Sequence, residues 1–290
     1  MKTSIFFRSL IGVVLSLSLI SCEDVVSVDL DPGQSQLAVD ALVMVNDGPQ
    51  TIRLTMTNAY FDNGTQAAGA SGATVKMISS TGQELIFAED TNNPGNYVFP
   101  DTVRGKTGEL FGLLIDYKGQ KYQSGSMLVR GTKVDSLYQE ERKAEFGNEA
   151  GTYLYLRAND SLGVGDFCWI RYSLNGKRDL RPGRILVAAD AAFNPGDADG
   201  LEFIYPVRNS INSNKPYLFG DKIDVELVSI DAENFRFLTE MQTQINNTGL
   251  FAEPASNVRS NIFNADKNSK VQAVGCFGIT RVSRASVTIQ

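Results

Sequence analysis

The residue types that most often do chemistry at neutral pH are thinly supplied in this chain of 290 residues. It contains no histidine, which removes Ser-His-Asp and Cys-His nucleophilic catalysis, imidazole zinc sites and the commonest neutral-pH general base. Hydrolysis by two carboxylates, as in glycosidases, survives that cut. Glu89-Asp90 and Glu140-Glu141 are adjacent acids, but in this composition they read as solvated loop charges. Asp197-Ala198-Asp199-Gly200, with Glu202 behind it, places oxygen ligands at alternate positions around a tight turn, as a Ca²⁺ loop does. The first and last ligands of the full loop are missing, so Asp197, Asp199 and Glu202 form only an incomplete metal candidate. Gly105-Lys106-Thr107 matches the end of a phosphate loop, yet Pro100 stands where the leading glycine belongs and no helical pattern follows. The expectation is a protein without a catalytic set and without a cofactor.

One chemistry is spelled out more fully. Lys2 and Arg8 form a basic start, Leu10 to Ile20 form an apolar run too short to span a bilayer, and Leu19-Ile20-Ser21-Cys22 closes it. This pattern resembles the bacterial lipobox, in which cleavage between Ser21 and Cys22 leaves a lipidated cysteine as the new N-terminus. Each buried acyl methylene contributes about 0.8 kcal/mol, so two or more chains on Cys22 hold the protein on a membrane without a transmembrane helix. Glu23-Asp24 directly afterwards resembles an acidic signal for display on the outer face of the outer membrane. Loss of the leader leaves 25 basic residues against 33 acidic ones, a net charge of −8. That balance argues against nucleic acid or an anionic lipid surface as partner, since both require a basic face. Cys168 and Cys276 are then the remaining cysteines. In an oxidising compartment they either pair or stay as two buried thiols, and the spacing leaves both readings open.

The elements that must carry any site are mostly strands. Residues 22–35, rich in acids with Ser, Pro and Gly, read as a lipidated tether. Within residues 36–131, Ile52, Leu54 and Met56 alternate with polar neighbours, and Val75 and Met77 repeat the pattern. Asn46-Asp47-Gly48-Pro49, Asp62-Asn63-Gly64, Thr81-Gly82, Asn93-Pro94-Gly95-Asn96 and Lys118-Gly119 mark turns. About seven short strands at this spacing predict an Ig-like antiparallel β-sandwich that folds as a unit. Residues 132–290 predict a second β-rich domain, with strands at 134–138, 152–157, 167–174 and 222–230 and a loop at 139–150. Residues 176–221 predict two or three strands joined by long loops. The period then changes: Phe235, Leu238, Met241 or Gln242, and Ile245 follow helical spacing, with Asp231 as N-cap and Asn247 to Gly249 as the stop. That predicts one helix near 231–247, its apolar stripe packed on the sheet, before strands at 274–281 and 285–289.

Several short segments together resemble one family, the Bacteroidota outer-membrane lipoproteins of domain of unknown function 4249. They include Leu37-Ala38-Val39-Asp40-Ala41, Gly72-Ala73-Thr74-Val75, Pro94-Gly95-Asn96-Tyr97, Lys121-Tyr122, Val134-Asp135-Ser136-Leu137-Tyr138 and Gly220-Asp221. The most specific are Phe251-Ala252-Glu253-Pro254-Ala255, Ser260-Asn261-Ile262 and Gly275-Cys276-Phe277-Gly278. The chain departs from the family pattern after Ser260-Asn261-Ile262, where Phe263-Asn264-Ala265-Asp266-Lys267-Asn268 replaces consecutive glycines. The resemblance implies a lipid-anchored surface protein with an Ig-like N-terminal domain. Members are often encoded beside TonB-dependent outer-membrane receptors, which implies a binding accessory in nutrient capture or uptake. A structural or adhesive β-sandwich protein and a carboxylate-based hydrolase are the alternatives. The ligand stays open between a small molecule, a glycan and a peptide.

Tyr153, Tyr155, Trp169, Tyr172, Tyr205 and Tyr217 are available for an aromatic binding platform, or else for the core. Irregular segments on a β scaffold are where contact residues concentrate, so residues 176–221 and 249–273 are the candidate docking segments. Phe263, at the departure from the family pattern, is the residue expected to touch a partner. Asp101-Thr102-Val103, Asp135-Ser136-Leu137 and Asp160-Ser161-Leu162 resemble an Asp-Ser/Thr-apolar O-glycosylation acceptor, the second expected to be hidden in its strand.

Overall fold

The structure, a computed structural model, describes residues 34–59, 66–145, 147, 149–159, 163, 165–178, 185–189, 202–205, 215–247 and 256–290. The expected leader, Cys22 and most of the expected tether lie outside the described residues, as do Asp160-Ser161-Leu162, Asp197, Asp199 and Phe251 to Ala255. Glu202 and Tyr205 are described in backbone only.

Strict alternation builds the first seven strands: β1 (Leu37–Met44), β2 (Gln50–Met56), β3 (Thr74–Ser79), β4 (Glu84–Glu89), β5 (Asn96–Phe99), β6 (Leu110–Tyr117) and β7 (Gln120–Met127). Leu37, Val39, Ala41 and Val43 of β1 all point into the core, as do Ile52 and Leu54 of β2. The predicted turns among the described residues are real and their geometry explains them, while Asp62-Asn63-Gly64 lies outside the described residues. Lys118-Gly119 joins β6 to β7 with φ of 50° and 77°, the two left-handed positions of a primed hairpin turn. One hydrophobic cluster draws side chains from β1, β2 and β5 and also from β3, β6 and β7, so this part of the ladder folds back over a shared interior.

The second set comprises β8 (Lys133–Arg142), β9 (Gly151–Asn159), β10 (Phe167–Leu174), β11 (Lys177–Arg178), β12 (Leu186–Ala189), β13 (Glu202–Tyr205) and β14 (Lys222–Ile230). Asn175-Gly176, with φ of 51° and 76°, closes the β10–β11 hairpin. The helix α1 (Ala232–Ile245) follows, then β15 (Phe263–Asn264) and β16 (Ala273–Thr288). The mainly β class and the one substantial helix are as the sequence predicts, and α1 is the one helix among the described residues. Asp231 caps it by accepting from the Asn234 amide at 2.9 Å, satisfying one of the orphan N–H groups of the first turn. No described helix is long and apolar enough to cross a membrane.

Two expectations need correction. The segment 139–150 is not wholly a loop, because β8 runs on to Arg142 and pairs Glu140 with Tyr153 and Glu141 with Thr152. The C-terminal segment is one strand of sixteen residues rather than two. Its first half, Ala273–Thr280, pairs parallel with β1, and its second half, Arg281–Thr288, pairs antiparallel with β14. Val282-Ser283-Arg284, where the sequence pattern breaks, pair without interruption with Val228, Leu227 and Glu226 of β14, and the change of partner falls just before them, between Thr280 and Arg281. β16 thus joins the two halves into one ladder, β11-β10-β14-β16-β1-β2-β5-β4-β3-β6-β7-β15, with β12 beside β10; β13-β9-β8 form a separate sheet. Residues Ser35–Gln290 form one compact unit, while the buried side chains gather in distinct clusters on either side of β16.

Candidate functional site

The cleft of interest lies where α1 crosses the sheet, and its floor starts with a clash avoided. β1 and β16 approach so closely at Val39 and Gly275 that a Cβ on Gly275 would sit 2.0 Å from the Val39 carbonyl oxygen. Gly275 also has φ of +106°, a conformation that a residue with a side chain rarely adopts. The next residue, Cys276, lies beside Asp40 in register. Three residues along, Gly278 leaves room for Asn234 of α1, whose side chain stands 2.6 Å from where a Cβ would be.

Asn234 fills that room and is fully used. Its Nδ2 donates to Asp231 at 2.7 Å and to the Phe277 carbonyl at 3.0 Å, and its Oδ1 accepts from the Cys276 thiol at 2.9 Å. The segment Ser260-Asn261-Ile262 holds the same strand, and shares the Phe277 carbonyl with Asn234. Ser260 Oγ donates to the Gly275 carbonyl at 2.8 Å, and Asn261 exchanges two hydrogen bonds with the Phe277 backbone, at 2.8 and 2.9 Å. The segments Leu37 to Ala41, Ser260 to Ile262 and Gly275 to Gly278, far apart in sequence, therefore meet at one place. Buried polar groups are tolerated here because each has its partner.

Above this floor α1 leaves a cleft of about 330 Å³, lined by Val39, Asp40, Leu42, Trp169, Ile230, Asn234, Phe237, Leu238, Met241 and Cys276. The roof is held firmly. Phe235 stacks on Phe167 with ring centroids 4.7 Å apart. Gln242 donates to the Ile185 carbonyl at 2.9 Å, and Glu240 accepts from the Arg259 amide at 2.9 Å. At its start Asp231 accepts from Ser126 of β7.

Charge in the cleft is concentrated on Asp40. Asp40 is an exposed residue, and partial desolvation by its surroundings holds its carboxyl above the ordinary pKa, against the pull of Arg53 and Arg171. Burial also raises the Cys276 thiol, with Asp231 and Asp40 adding to the effect, so this thiol is a poor nucleophile. Beneath Trp169 the guanidinium of Arg171 lies 5.1 Å from the ring centre and pairs with Glu226 at 2.8 Å. Glu226 also takes Arg178 at 2.6 Å and Arg284 at 3.0 Å.

The other candidate residues are scattered. Cys168 and Cys276 are free thiols. Tyr153, Tyr155 and Tyr217 are buried, and Tyr155 stacks on Tyr138 at 5.0 Å with Arg142 and Arg157 over the two rings. The described aromatics therefore do not assemble one platform; Trp169 alone of that set enters the cleft. Phe263 is 59 % exposed on β15, opposite Gln123 at the edge of β7. Ser136 is exposed at a bulge in β8, contrary to the expectation that its strand hides it. Glu89 and Asp90 are not idle loop charges: Glu89 accepts from the Gly72 and Gly95 amides, and Asp90 from Asn92 and Asn93. Among the described residues no three acidic or thiol groups cluster as a metal site, and the Asp197-Asp199-Glu202 candidate falls outside the described side chains.

Asp40 and Asn234 were not singled out from sequence, although a signal existed. The outward face of β1 carries Leu42 and Met44 beside Asp40, and a strand with apolar residues on both faces is covered on both.

Fold and site together define a mainly β protein whose single described helix roofs a small, largely apolar cleft. The chain belongs to the family described as domain of unknown function (DUF4249), whose model matches residues 23–286. No curated protein matches it significantly.

Proposed function

We propose that this chain is a lipid-anchored cell-surface binding protein of the outer membrane, acting as accessory to a TonB-dependent receptor in nutrient capture. The observation that carries the binding part is the cleft under α1: concave, mostly apolar, rigidly framed and furnished with one charged group, which is the usual composition of a small-ligand pocket. The lipobox-like Leu19-Ile20-Ser21-Cys22 supports the anchor, and the family's association with TonB-dependent receptors supports the partner. A non-enzymatic role fits a chain without histidine, in which Glu89 and Asp90 spend their oxygens on turn amides.

The test is affinity purification of the tagged lipoprotein from its native outer membrane, followed by identification of what accompanies it. A TonB-dependent receptor is the expected companion; its consistent absence under mild solubilisation defeats the accessory role. Phe263→Ala is expected to weaken that co-purification while moving the melting temperature by less than about 2 °C, because the ring is largely outside the core. Unchanged capture by the variant would remove Phe263 from the contact.

A further inference from the structure

We propose that the cleft under α1 takes a small organic cation, an apolar body bearing a protonated amine, with Asp40 as its counter-ion. This inference rests on the reading of the cleft as a binding site and adds the chemical class of what it binds.

The walls set the apolar part. Leu42, Trp169, Phe237 and Met241 contribute carbon surface from three different elements. A volume near 330 Å³ is the room of roughly ten water molecules, enough for one aromatic or branched aliphatic group and too small for an oligosaccharide. The polar groups set the rest by elimination. Asn234 and Cys276 are committed to each other, to Asp231 and to the Phe277 carbonyl, so neither is left to recognise a ligand. The Asp40 carboxylate makes no hydrogen bond or ion pair with the described residues, and in its ionised form it offers acceptors only.

The nearby cations do not discharge it. Arg53 faces Asp40 across the β1–β2 pair and Arg171 lies close enough to be felt, yet neither forms an ion pair with it. Arg171 is held by Glu226 at 2.8 Å and by the face of Trp169. An exposed carboxylate on an otherwise apolar concavity, without an ion-pair partner among the described residues, attracts a group that brings both positive charge and N–H donors. Trp169 adds to this, since an indole ring in the wall favours a cation over an anion.

Trp169 is the only tryptophan of the chain, so its emission reports on the cleft directly. The experiment titrates the full chain in lipid nanodiscs, against empty nanodiscs, with three probes of one shape: phenethylamine, 2-phenylethanol and 3-phenylpropanoate. The expected result is a saturable change in Trp169 emission at a concentration at least tenfold lower for the amine than for the alcohol or the acid. Asp40→Asn should bring the amine to the level of the alcohol, and Arg53→Gln should widen the amine's advantage. An amine no better than the alcohol in the wild type, or an advantage that survives Asp40→Asn, overturns the cation assignment while leaving a binding cleft. If none of the three probes perturbs Trp169 saturably, the cleft itself is not a small-molecule site and both readings of it fall. Receptor co-purification is scored separately and is untouched by any of these outcomes.

Discussion

At the scale of single residues, the cleft depends on groups whose fit is measured in tenths of an ångström. Gly275 has no alternative: a methyl there would meet the Val39 carbonyl oxygen at 2.0 Å, the nearest atoms all being Val39 backbone that cannot swing aside, and its φ is positive as well. Gly275→Ala should therefore destabilise the protein by more than about 2–3 kcal/mol, seen as a large drop in denaturation midpoint; a near-neutral result would mean that β1 and β16 can separate locally without cost. Asp40 gives a pH signature of opposite sign to most acids. Its carboxyl pKa is raised in the folded state, so between the unfolded and folded values the native chain binds more protons, and Asp40 weakens stability as pH rises through that window. Asp40→Asn should melt slightly higher than wild type at pH 7, the effect kept small by the exposure of the carboxylate, with the gap closing as pH falls towards the ordinary carboxylate range. Glu89, Glu109, Glu240 and Asp224 work the other way, their pKa values being lowered by hydrogen bonds, so overall acidification still removes stability that they supply above their unfolded pKa values. A gap that widens on acidification would mean that the walls do not desolvate Asp40.

Among the elements, β16 has the most to answer for. Its first half closes the sheet edge at β1 and sends Ala273, Phe277 and Ile279 into the first core, with Ile262 arriving from the segment before it. Residues 35–131 expressed alone lack all four side chains and leave β1 as an unpaired edge, the arrangement that invites aggregation. The expected outcome is a fragment without a cooperative thermal transition; a sharp melt would show that β1–β7 hold their core unaided. The helix illustrates the complementary point. Its start, period and cap were readable at Asp231, Phe235 and Leu238, because capping and amphipathic spacing are local. What it covers was not readable, because Phe237 and Met241 meet Leu42 and Trp169 only after β1, β10 and β16 have been brought together.

For the molecule as a whole, the proposed lipid anchor bears on location and the cleft bears on use. Cys22→Ala should abolish incorporation of a fatty-acid analogue in cells, whereas the wild type is labelled; equal labelling of the two would exclude Cys22 as the lipidated residue. The alternating strands, the primed turns at Lys118-Gly119 and Asn175-Gly176 and the Asp231 cap were all determined by the sequence itself. Each depends on a few neighbouring residues, whose side-chain period or allowed φ leaves little choice. Only the tertiary structure decided that Asp40 and Cys276 lie side by side, that Asn234 fits over Gly278, and that one strand serves two partners. Those outcomes rest on pairings between opposite ends of the chain. Local propensity carries no information on such pairings, and they are selected only when the burial of both faces of β1 and β16 is satisfied at once.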